Sequence, residues 1–361
     1  MSVPITTGII GLGSLGQKHA ESVGGTGNVL VGGVDVVDES RERFSEEFGV
    51  PTFETFEELV SETAVEAVII TTPNKFHEQY AVEALESGVH VLCEKPLASS
   101  LEGAYRIAQA EKESEAVFMV GFNNKFSPQT TALLSEIDGG RLGEVTHIDA
   151  RWVRRRGVPG RGTWFTNREM SGGGSLIDIG VHVLDLALAC VGYPEVVEVS
   201  SVTRSNFGHR EEYVYEHMHG VDNGPEGFDV DDSVTAFIRC AGGVTINLDV
   251  AWAANRPDSD ELIVRGTESG ARLSLSSSEV EFYDVEREND ENQLPVNVWE
   301  TEGVEGHLGE VEYFYEVICG DREHSVNTVE EGVQVQEIID AIYDSQASGK
   351  AVSLYPKATW Q

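Results

Sequence analysis

The sequence predicts an α/β protein with an N-terminal doubly wound parallel sheet and a C-terminal α/β domain containing a large, mostly antiparallel open sheet. Between Thr6 and Gly121, short β-branched runs alternate with helical patterns. After Gly121, the apolar residues instead recur at every second position of several segments. Because 361 residues exceed one ordinary domain, we expect two domains, residues 1–121 and 122–361.

The first domain is predicted element by element. Helix-breaking glycines end its helical patterns, and strands follow them in regular order. The predicted strands are TTGII, VLVGGV, AVIITT, VHVLCE and VFMVG, and the helices are SLGQKHAESV, RERFSEEFG, HEQYAVEALESG and SSLEGAYRIAQAEKE.

The second domain is predicted from alternating segments joined by glycine turns. The predicted strands are EVTHIDARWV, VTAFIRC, VTINLDVAW, ELIVRG and ARLSLSS, and a closing helix, VEEGVQVQEIIDAIYDSQASG, stops at Gly349. The principal helix is SGGGSLIDIGVHVLDLALACVG, residues 171–192.

The charge is strongly acidic, and it excludes two classes of partner. The net charge is −37, and the 25 basic residues comprise 7 lysines and 18 arginines. So negative a surface repels nucleic acid and anionic lipid, so we expect neither as a partner. Acid spread along the chain with little lysine is typical of proteins from salt-accumulating cells, which predicts a halophilic type.

No targeting or cross-linking signal stands out. No run reaches the roughly 18 uninterrupted apolar residues of a membrane span, and the opening MSVPITTGIIGLG lacks the basic region of a secretory signal. The four cysteines, Cys93, Cys190, Cys240 and Cys319, are spaced for neither disulfides nor zinc. We therefore expect a cytoplasmic protein without a structural metal.

A glycine motif at the first strand-to-helix turn predicts dinucleotide binding. Gly11, Gly13 and Gly16 form G-x-G-x-x-G, and Asp35 ends the second strand. A carboxylate there accepts hydrogen bonds from ribose hydroxyls and repels a 2′-phosphate, which favours NAD over NADP. Arg41 and Arg43 lie close enough in sequence to keep NADP possible. Leu15, inside the motif, is a further cofactor candidate.

Two short motifs follow later strands, at the edge where such sheets bind ligands. TTPNKFH supplies the cofactor candidates Thr72, Pro73, Asn74 and His77, and CEKPLA supplies Glu94 and Lys95. The alternatives are a proline turn in which Asn74 or His77 caps a helix, and an ordinary solvated loop lysine.

The principal helix carries ionisable residues on an otherwise apolar body. Asp178, His182 and Asp185 stand at i, i+4 and i+7, so a regular helix would place them on one face. The alternative for His182 is a hydrogen-bonded core histidine. A metal site from these three is possible by spacing, but ligands on one straight helix converge poorly, so we predict none.

The motifs GIIGLGSLGQKHA, TTPNKFH, CEKPLA and GGGSLIDIGVHVLDL, in this order, resemble those of the Gfo/Idh/MocA oxidoreductases. The resemblance implies an N-terminal Rossmann domain, a substrate cleft beside it, and a C-terminal sheet that often forms oligomer contacts, hence a homodimer or homotetramer. It implies hydride transfer between a nicotinamide cofactor and a carbinol carbon of a sugar, cyclitol or related polyol. In several members the lysine-proline bond is cis, which would suit Lys95-Pro96.

Matched to those motifs, Lys95, Asp178 and His182 are the catalytic candidates. His182 is the expected general base, Asp178 orients it or a substrate hydroxyl, and Lys95 stabilises the developing alkoxide or joins the proton relay. Asp185 is given no firm role.

Asn123, Arg155 and Trp164 are the further substrate candidates. The arginines around Arg155 could receive a substrate phosphate or carboxylate, although pairing with surface acid is favoured. Two other functions stay open: a non-catalytic sensing relative, and an enzyme with tightly bound cofactor acting on paired sugars or a nucleotide-sugar.

Overall fold

The computed structural model describes residues 4–216, 220–288 and 291–354. These residues form two compact units. Unit 1 contains the chain up to Phe126 together with Val304–Gln336, and unit 2 contains Ser127–Gly303 and the chain from Glu337 onward. Unit 1 therefore includes a late segment that the sequence prediction, with its boundary after Gly121, placed in the C-terminal domain.

Unit 1 is built on a parallel sheet of order β3-β2-β1-β4-β5-β6. The prediction of a doubly wound parallel sheet is confirmed, although β3 is too short to stand out in the sequence. The strands are β1 Thr6–Ile10, β2 Val29–Val34, β3 Thr52–Phe53, β4 Ala67–Ile70, β5 His90–Glu94 and β6 Phe118–Gly121.

Capping residues mark the ends of several helices. The hydroxyl of Ser100 accepts the Gly103 amide at 3.1 Å and so caps α5, and Gly49, with φ of 68°, closes α2. The helices are α1 Ser14–Gly25, α2 Asp38–Phe48, α3 Phe56–Glu62, α4 His77–Glu86, α5 Leu101–Glu113, α6 Pro128–Asp138, α7 Arg168–Ser171, α8 Val181–Ala189, α9 Gly306–Ile318 and α10 Val329–Ser348.

Helix α9 belongs to unit 1 because it fills that unit's core. Val311 and Phe314 are buried in one cluster with Ile9 and Leu92 of the parallel sheet. Residues from late in the chain thus complete the packing around the first strand. The hydroxyls of Thr7 and Tyr315, 308 residues apart, hydrogen bond at 2.7 Å. Local periodicity in the sequence does not report such a long-range contact.

Unit 2 contains a nine-stranded sheet of order β16-β13-β12-β11-β7-β10-β9-β8-β17. All neighbours are antiparallel except β7 and β10, so the prediction of a large, mostly antiparallel sheet is confirmed. Strands β14 and β15 form a separate pair. The strands are β7 Val145–Val153, β8 Val196–Arg204, β9 Ser233–Cys240, β10 Thr245–Ala251, β11 Glu261–Gly266, β12 Gly270–Ser274, β13 Glu279–Tyr283, β14 Glu286–Glu288, β15 Glu291–Gln293, β16 Val296–Glu300 and β17 Val352–Ser353.

The principal helix of unit 2 is not regular throughout. Leu176–Gly180 form a π-helical turn, in which the Val181 amide bonds to the Leu176 carbonyl five residues earlier, and α8 follows. The prediction of a single regular helix is therefore wrong at its first turn. Such turns widen the helix locally and are common at functional sites.

Among the described residues, one helical stretch, Arg168–Ala189, is long and apolar enough to cross a membrane by length and composition alone. Within the fold, 83% of its most apolar window is buried, as in a core helix.

Candidate active site

The glycine motif forms a tight turn whose three glycines have different surroundings. Gly11 has φ of 95°, and a Cβ there would lie 2.8 Å from the Thr72 amide nitrogen. A Cβ on Gly16 would lie 2.0 Å from the Gly11 carbonyl oxygen, whereas one on Gly13 would meet nothing within 4 Å. Gly11 and Gly16 are therefore required by the fold, and Gly13 leaves open space for the close approach of a phosphate to the backbone.

Asp35 lies beside this turn at the end of β2. Its Oδ2 accepts the Leu12 amide at 2.8 Å, and its Oδ1 accepts the Val37 amide at 2.9 Å. Arg41 donates to the Asp35 carbonyl at 2.6 Å and also pairs with Asp38, so its guanidinium is already engaged. This arrangement fits the ribose of NAD better than a 2′-phosphate.

His77 is a buried link between the two strand-end motifs. Its Nδ1 lies 2.8 Å from the Pro96 carbonyl oxygen and its Nε2 lies 2.9 Å from that of Thr72. Burial lowers the pKa of this imidazole. Helix α4 begins at His77 without a side-chain cap, as does the short turn at Asn74, so the alternative of a helix cap is wrong for both residues.

Lys95 is half-buried at the end of β5, and the Lys95-Pro96 peptide is cis. Its amide donates to Oε2 of Glu94 at 3.2 Å. Glu94 itself is buried, so the residue beside Lys95 is a carboxylate held away from solvent.

Glu94 belongs to a group of ionisable side chains that also includes buried His19 and Glu310 and half-buried His307. The Nε2 of His19 lies 2.7 Å from Oε1 of Glu94. Burial alone would raise the pKa of Glu94, but the hydrogen bond and charge of His19, with the nearby charges of His307 and Lys95, lower it to about 2. Burial lowers the pKa of His307 to about 4.

Two imidazoles and two carboxylates could hold a divalent ion, and their candidate ligand atoms lie within 4.8 Å of one another. The sequence predicts no metal site. The direct bond between His19 and Glu94 engages Nε2 of His19 without an ion, whereas the buried Nδ1 of His19 has no hydrogen-bond partner among the described residues.

Asp178 lies on the π-helical turn, with its side chain 18% exposed. Its Oδ2 accepts the indole N–H of Trp252 at 2.8 Å, and the Arg154 guanidinium lies 4.0 Å away. A carboxylate with these neighbours is held in one orientation and still reaches the surface of unit 2.

His182 lies one turn later and is half-buried. Its ring packs against Trp152, with the ring centroids 5.7 Å apart. Asp178 and His182 are thus both half-buried in unit 2, and each lies beside a tryptophan.

Asp185 has other surroundings. It is 1% exposed and accepts a hydrogen bond from the Tyr193 hydroxyl. Asp185 is therefore buried, unlike half-buried Asp178 and His182, and its place on the same face of the helix stays a prediction. This side chain points into the core, and its charge helps burial to raise the pKa of Cys190 to about 12.

The remaining substrate candidates lie in different surroundings. Asn123 of unit 1 contacts Nε2 of His307 at 3.3 Å. In unit 2, the Trp164 ring stacks on Phe165 with the ring centroids 3.8 Å apart. Arg155 is exposed and lies beside Glu216 and Asp258.

Two family models match most of the chain. Residues 5–122 match the GFO_IDH_MocA model, described as an oxidoreductase family with an NAD-binding Rossmann fold. Residues 131–272 match the GFO/IDH/MocA C-terminal domain. The chain belongs to the Gfo/Idh/MocA oxidoreductase family. The prediction of NAD binding by the first domain is thereby confirmed, in agreement with the open turn at Gly13 and the position of Asp35.

Several curated relatives of this Gfo/Idh/MocA protein act on sugars and inositols. The chain is 29% identical to D-glucoside 3-dehydrogenase of Escherichia coli (strain K12), covering 98% of both proteins. It is 33% identical to glucose-6-phosphate 3-dehydrogenase of Bacillus subtilis (strain 168) over 50% of this chain and 51% of that protein. It is also 29% identical to inositol 2-dehydrogenase of Corynebacterium glutamicum over 58% and 61% of the two chains.

Solved structures agree on the fold. Levoglucosan dehydrogenase in complex with NADH and levoglucosan matches with a TM-score of 0.85 at 23% identity, over 98% of this chain and 100% of that one. At this identity, the likeness supports the two-domain architecture of the Gfo/Idh/MocA protein and nothing finer.

Sequence reasoning missed several residues that contact the candidates. His19 carried one local signal, since it follows Gly16 by three residues in the nucleotide-binding helix. Trp252 and Asp178 are 74 residues apart, and nothing in the sequence joins them. His307 lies outside every motif that marks the Gfo/Idh/MocA family here.

Proposed function

We propose that this protein is an NAD(P)-dependent dehydrogenase that transfers a hydride between the nicotinamide and a carbinol carbon of a sugar, cyclitol or related polyol. The observation that carries the proposal is Asp178 on the widened helical turn with His182 at the start of α8, in a chain whose first domain binds NAD. The sugar and inositol dehydrogenases among its relatives support this function rather than a sensing role.

The cofactor residues follow from the turn and the strand ends of unit 1. Gly13 provides the space for the pyrophosphate and Asp35 the acceptor for the ribose hydroxyls. When bound, the nicotinamide accepts or supplies the hydride. The full proposed set is Gly11, Gly13, Leu15, Gly16, Asp35, Thr72, Pro73, Asn74, His77, Glu94 and Lys95. Within it, buried His77 acts through the backbone of Thr72 and Pro96.

Three side chains perform the proton chemistry in this proposal. The His182 imidazole accepts the proton of the reacting hydroxyl, because an imidazole changes its charge near neutral pH. Asp178, held by the Trp252 indole, orients that hydroxyl or the imidazole. The Lys95 ammonium hydrogen bonds the same oxygen and stabilises it as it becomes an alkoxide.

Asn123, Arg155 and Trp164 complete the proposed substrate contacts. Trp164 offers an aromatic face and Arg155 an exposed donor. NADP stays the alternative cofactor only if Arg41 exchanges its bond to Asp35 for a 2′-phosphate.

We further propose that the enzyme works in the cytoplasm at high salt, as a homodimer or homotetramer. The charge of −37 supports the salt requirement, since screening at high ionic strength relieves the self-repulsion of so acidic a surface. Val202 and Phe237 are 46% and 42% exposed on neighbouring strands β8 and β9, which supports assembly through this sheet.

A spectrophotometric assay tests the function. Aldoses, glucosides and inositols are offered with NAD and NADP in turn, at low and high salt, and reduced nicotinamide is recorded. We expect turnover with NAD on at least one sugar or polyol, and a loss of about 10²–10⁴-fold in kcat for His182→Ala. Ligand binding without turnover by the unmodified protein on every substrate would contradict the proposal.

A further inference from the structure

Unit 2 contains a pocket of about 410 Å³, a size suited to a small-molecule ligand. Its described lining combines cationic and anionic side chains in equal number. We call it the arginine pocket, and its charged residues are Arg154, Arg155, Arg156, Glu216, Asp258 and Asp260.

The arginine pocket adjoins the two catalytic candidates of unit 2. Arg154, which lines it, lies 4.0 Å from Oδ2 of Asp178. Trp152, also in the lining, packs against the His182 ring. Two residues that line this pocket therefore also contact Asp178 and His182.

The arginines of the pocket are already engaged with acceptors. The Arg155 guanidinium lies 3.9 Å from Glu216, and the Arg155 amide donates to Asp258 at 2.6 Å. Arg156 donates to Oδ1 of Asn255 at 2.5 Å and lies over the Phe207 ring.

A phosphate or carboxylate entering here would meet Glu216, Asp258 and Asp260 together with the arginines. Like charges in contact select against such a ligand, because its repulsion by the carboxylates opposes its attraction to the guanidinium groups.

Hydroxyl groups suit this lining much better. Each hydroxyl both donates and accepts, so it can bond to a guanidinium and a carboxylate at once. The lining also includes Ser259 and Ser276, whose hydroxyls can both donate and accept.

We propose that the arginine pocket is a binding subsite for an uncharged, hydroxyl-bearing sugar unit and that it discriminates against phosphorylated and acidic sugars. The identification of the ligand as a sugar rests on the proposed function. The selection against anions rests on the balance of charges in the pocket.

Isothermal calorimetry with NADH-saturated protein tests the subsite independently of turnover. The probes are glucose against glucose 6-phosphate, and methyl glucoside against methyl glucuronide. We expect each neutral probe to bind at least tenfold more tightly than its anionic counterpart. The double variant Glu216→Gln with Asp258→Asn should reduce both affinity ratios, neutral probe over anionic probe, by about tenfold. The reason is that it removes two of the three carboxylates.

The matched control is Glu198→Gln. Glu198 forms an ion pair with Arg239 at 3.6 Å, and its exposure is similar to that of Glu216 in its pair with Arg155. Glu198 lies outside the arginine pocket, so removing its charge should leave the affinity ratios unchanged. Equal or tighter binding of the anionic probes, or no binding of either neutral probe, overturns the subsite. If the neutral probes bind in the calorimeter but no sugar or polyol yields NADH in the separate assay with NAD, the proposed function is contradicted while the subsite stands.

Discussion

The indole N–H of Trp252 donates to Oδ2 of Asp178 at 2.8 Å, from a side chain that is fully buried. Trp252 follows β10 and Asp178 lies on the π-helical turn, so the bond ties the sheet of unit 2 to the candidate catalytic carboxylate. A hydrogen bond to a charged group contributes about 1.5–3 kcal/mol, enough to hold that carboxylate in one orientation.

Trp252→Phe should therefore lower kcat/KM by about ten- to a hundredfold, since each 1.36 kcal/mol is tenfold in rate. Phenylalanine keeps an aromatic ring but lacks both the indole N–H and the volume of the second ring, so the change also leaves a small cavity at this fully buried position. The circular dichroism spectrum at the assay temperature should stay unchanged. Steady-state kinetics with the best substrate measure the effect. The control is Trp299→Phe, a change on the exposed strand β16. An equal loss of kcat/KM in the control would contradict the role of the Trp252 bond in positioning Asp178.

Gly13→Ala should weaken NADH binding by at least tenfold without unfolding unit 1. The new methyl group meets no protein atom within 4 Å, and φ of −71° suits alanine, so only the space for the pyrophosphate is lost. Fluorescence titration measures the affinity. Gly24→Ala, in equally open surroundings on α1, should leave NADH binding unchanged. Unaltered affinity in Gly13→Ala would show that the phosphate binds elsewhere.

The stability of the protein should fall between pH 6.5 and pH 4 through His307. Burial lowers the pKa of its imidazole to about 4, so in this range the unfolded chain binds a proton that the folded protein does not. The stability is thus present above pH 6.5 and lost as the pH falls toward 4. Relative to His307→Gln, the native protein should lose roughly 2–4 kcal/mol of unfolding free energy.

Urea unfolding at pH 7, 6, 5 and 4 in both proteins measures this difference. Comparing the two proteins cancels titrating groups that do not interact with His307, such as the buried His77. Glu94, whose pKa depends on His307, does not cancel and shifts with the substitution. A difference that stays constant with pH would show that His307 titrates normally.

Asp231 should be the main anchor of the glycine segment that leads into the π-helical turn. It accepts the Gly174 amide at 3.0 Å, the Leu176 amide at 3.1 Å, and the hydroxyls of Ser175 and Tyr343 at 2.7 Å each. Tyr343→Phe removes one of these bonds and should cost about 1–3 kcal/mol of unfolding free energy, whereas Asp231→Ala removes all four and should cost more. Thermal and urea unfolding compare the two, and equal losses would contradict the anchoring role.

The sequence by itself determined the main alternation of strands and helices in the first domain, the NAD-binding turn and the family. These depend on local periodicity and on short motifs such as Gly11, Gly13 and Gly16, whose chemistry is complete within a few residues. The fold class was predictable for the same reason, since alternating strands and helices have few ways to pack.

Only the tertiary structure decided which ionisable groups meet. It turned Asp185 into the core, paired Asp178 with Trp252 across 74 residues, and placed His307 beside His19 and Glu94. It also placed the Glu216 and Asp258 carboxylates in contact with Arg155. The energies of these contacts arise from burial and from hydrogen bonds between distant segments, and these depend on the folded packing and not on neighbouring residues in the chain.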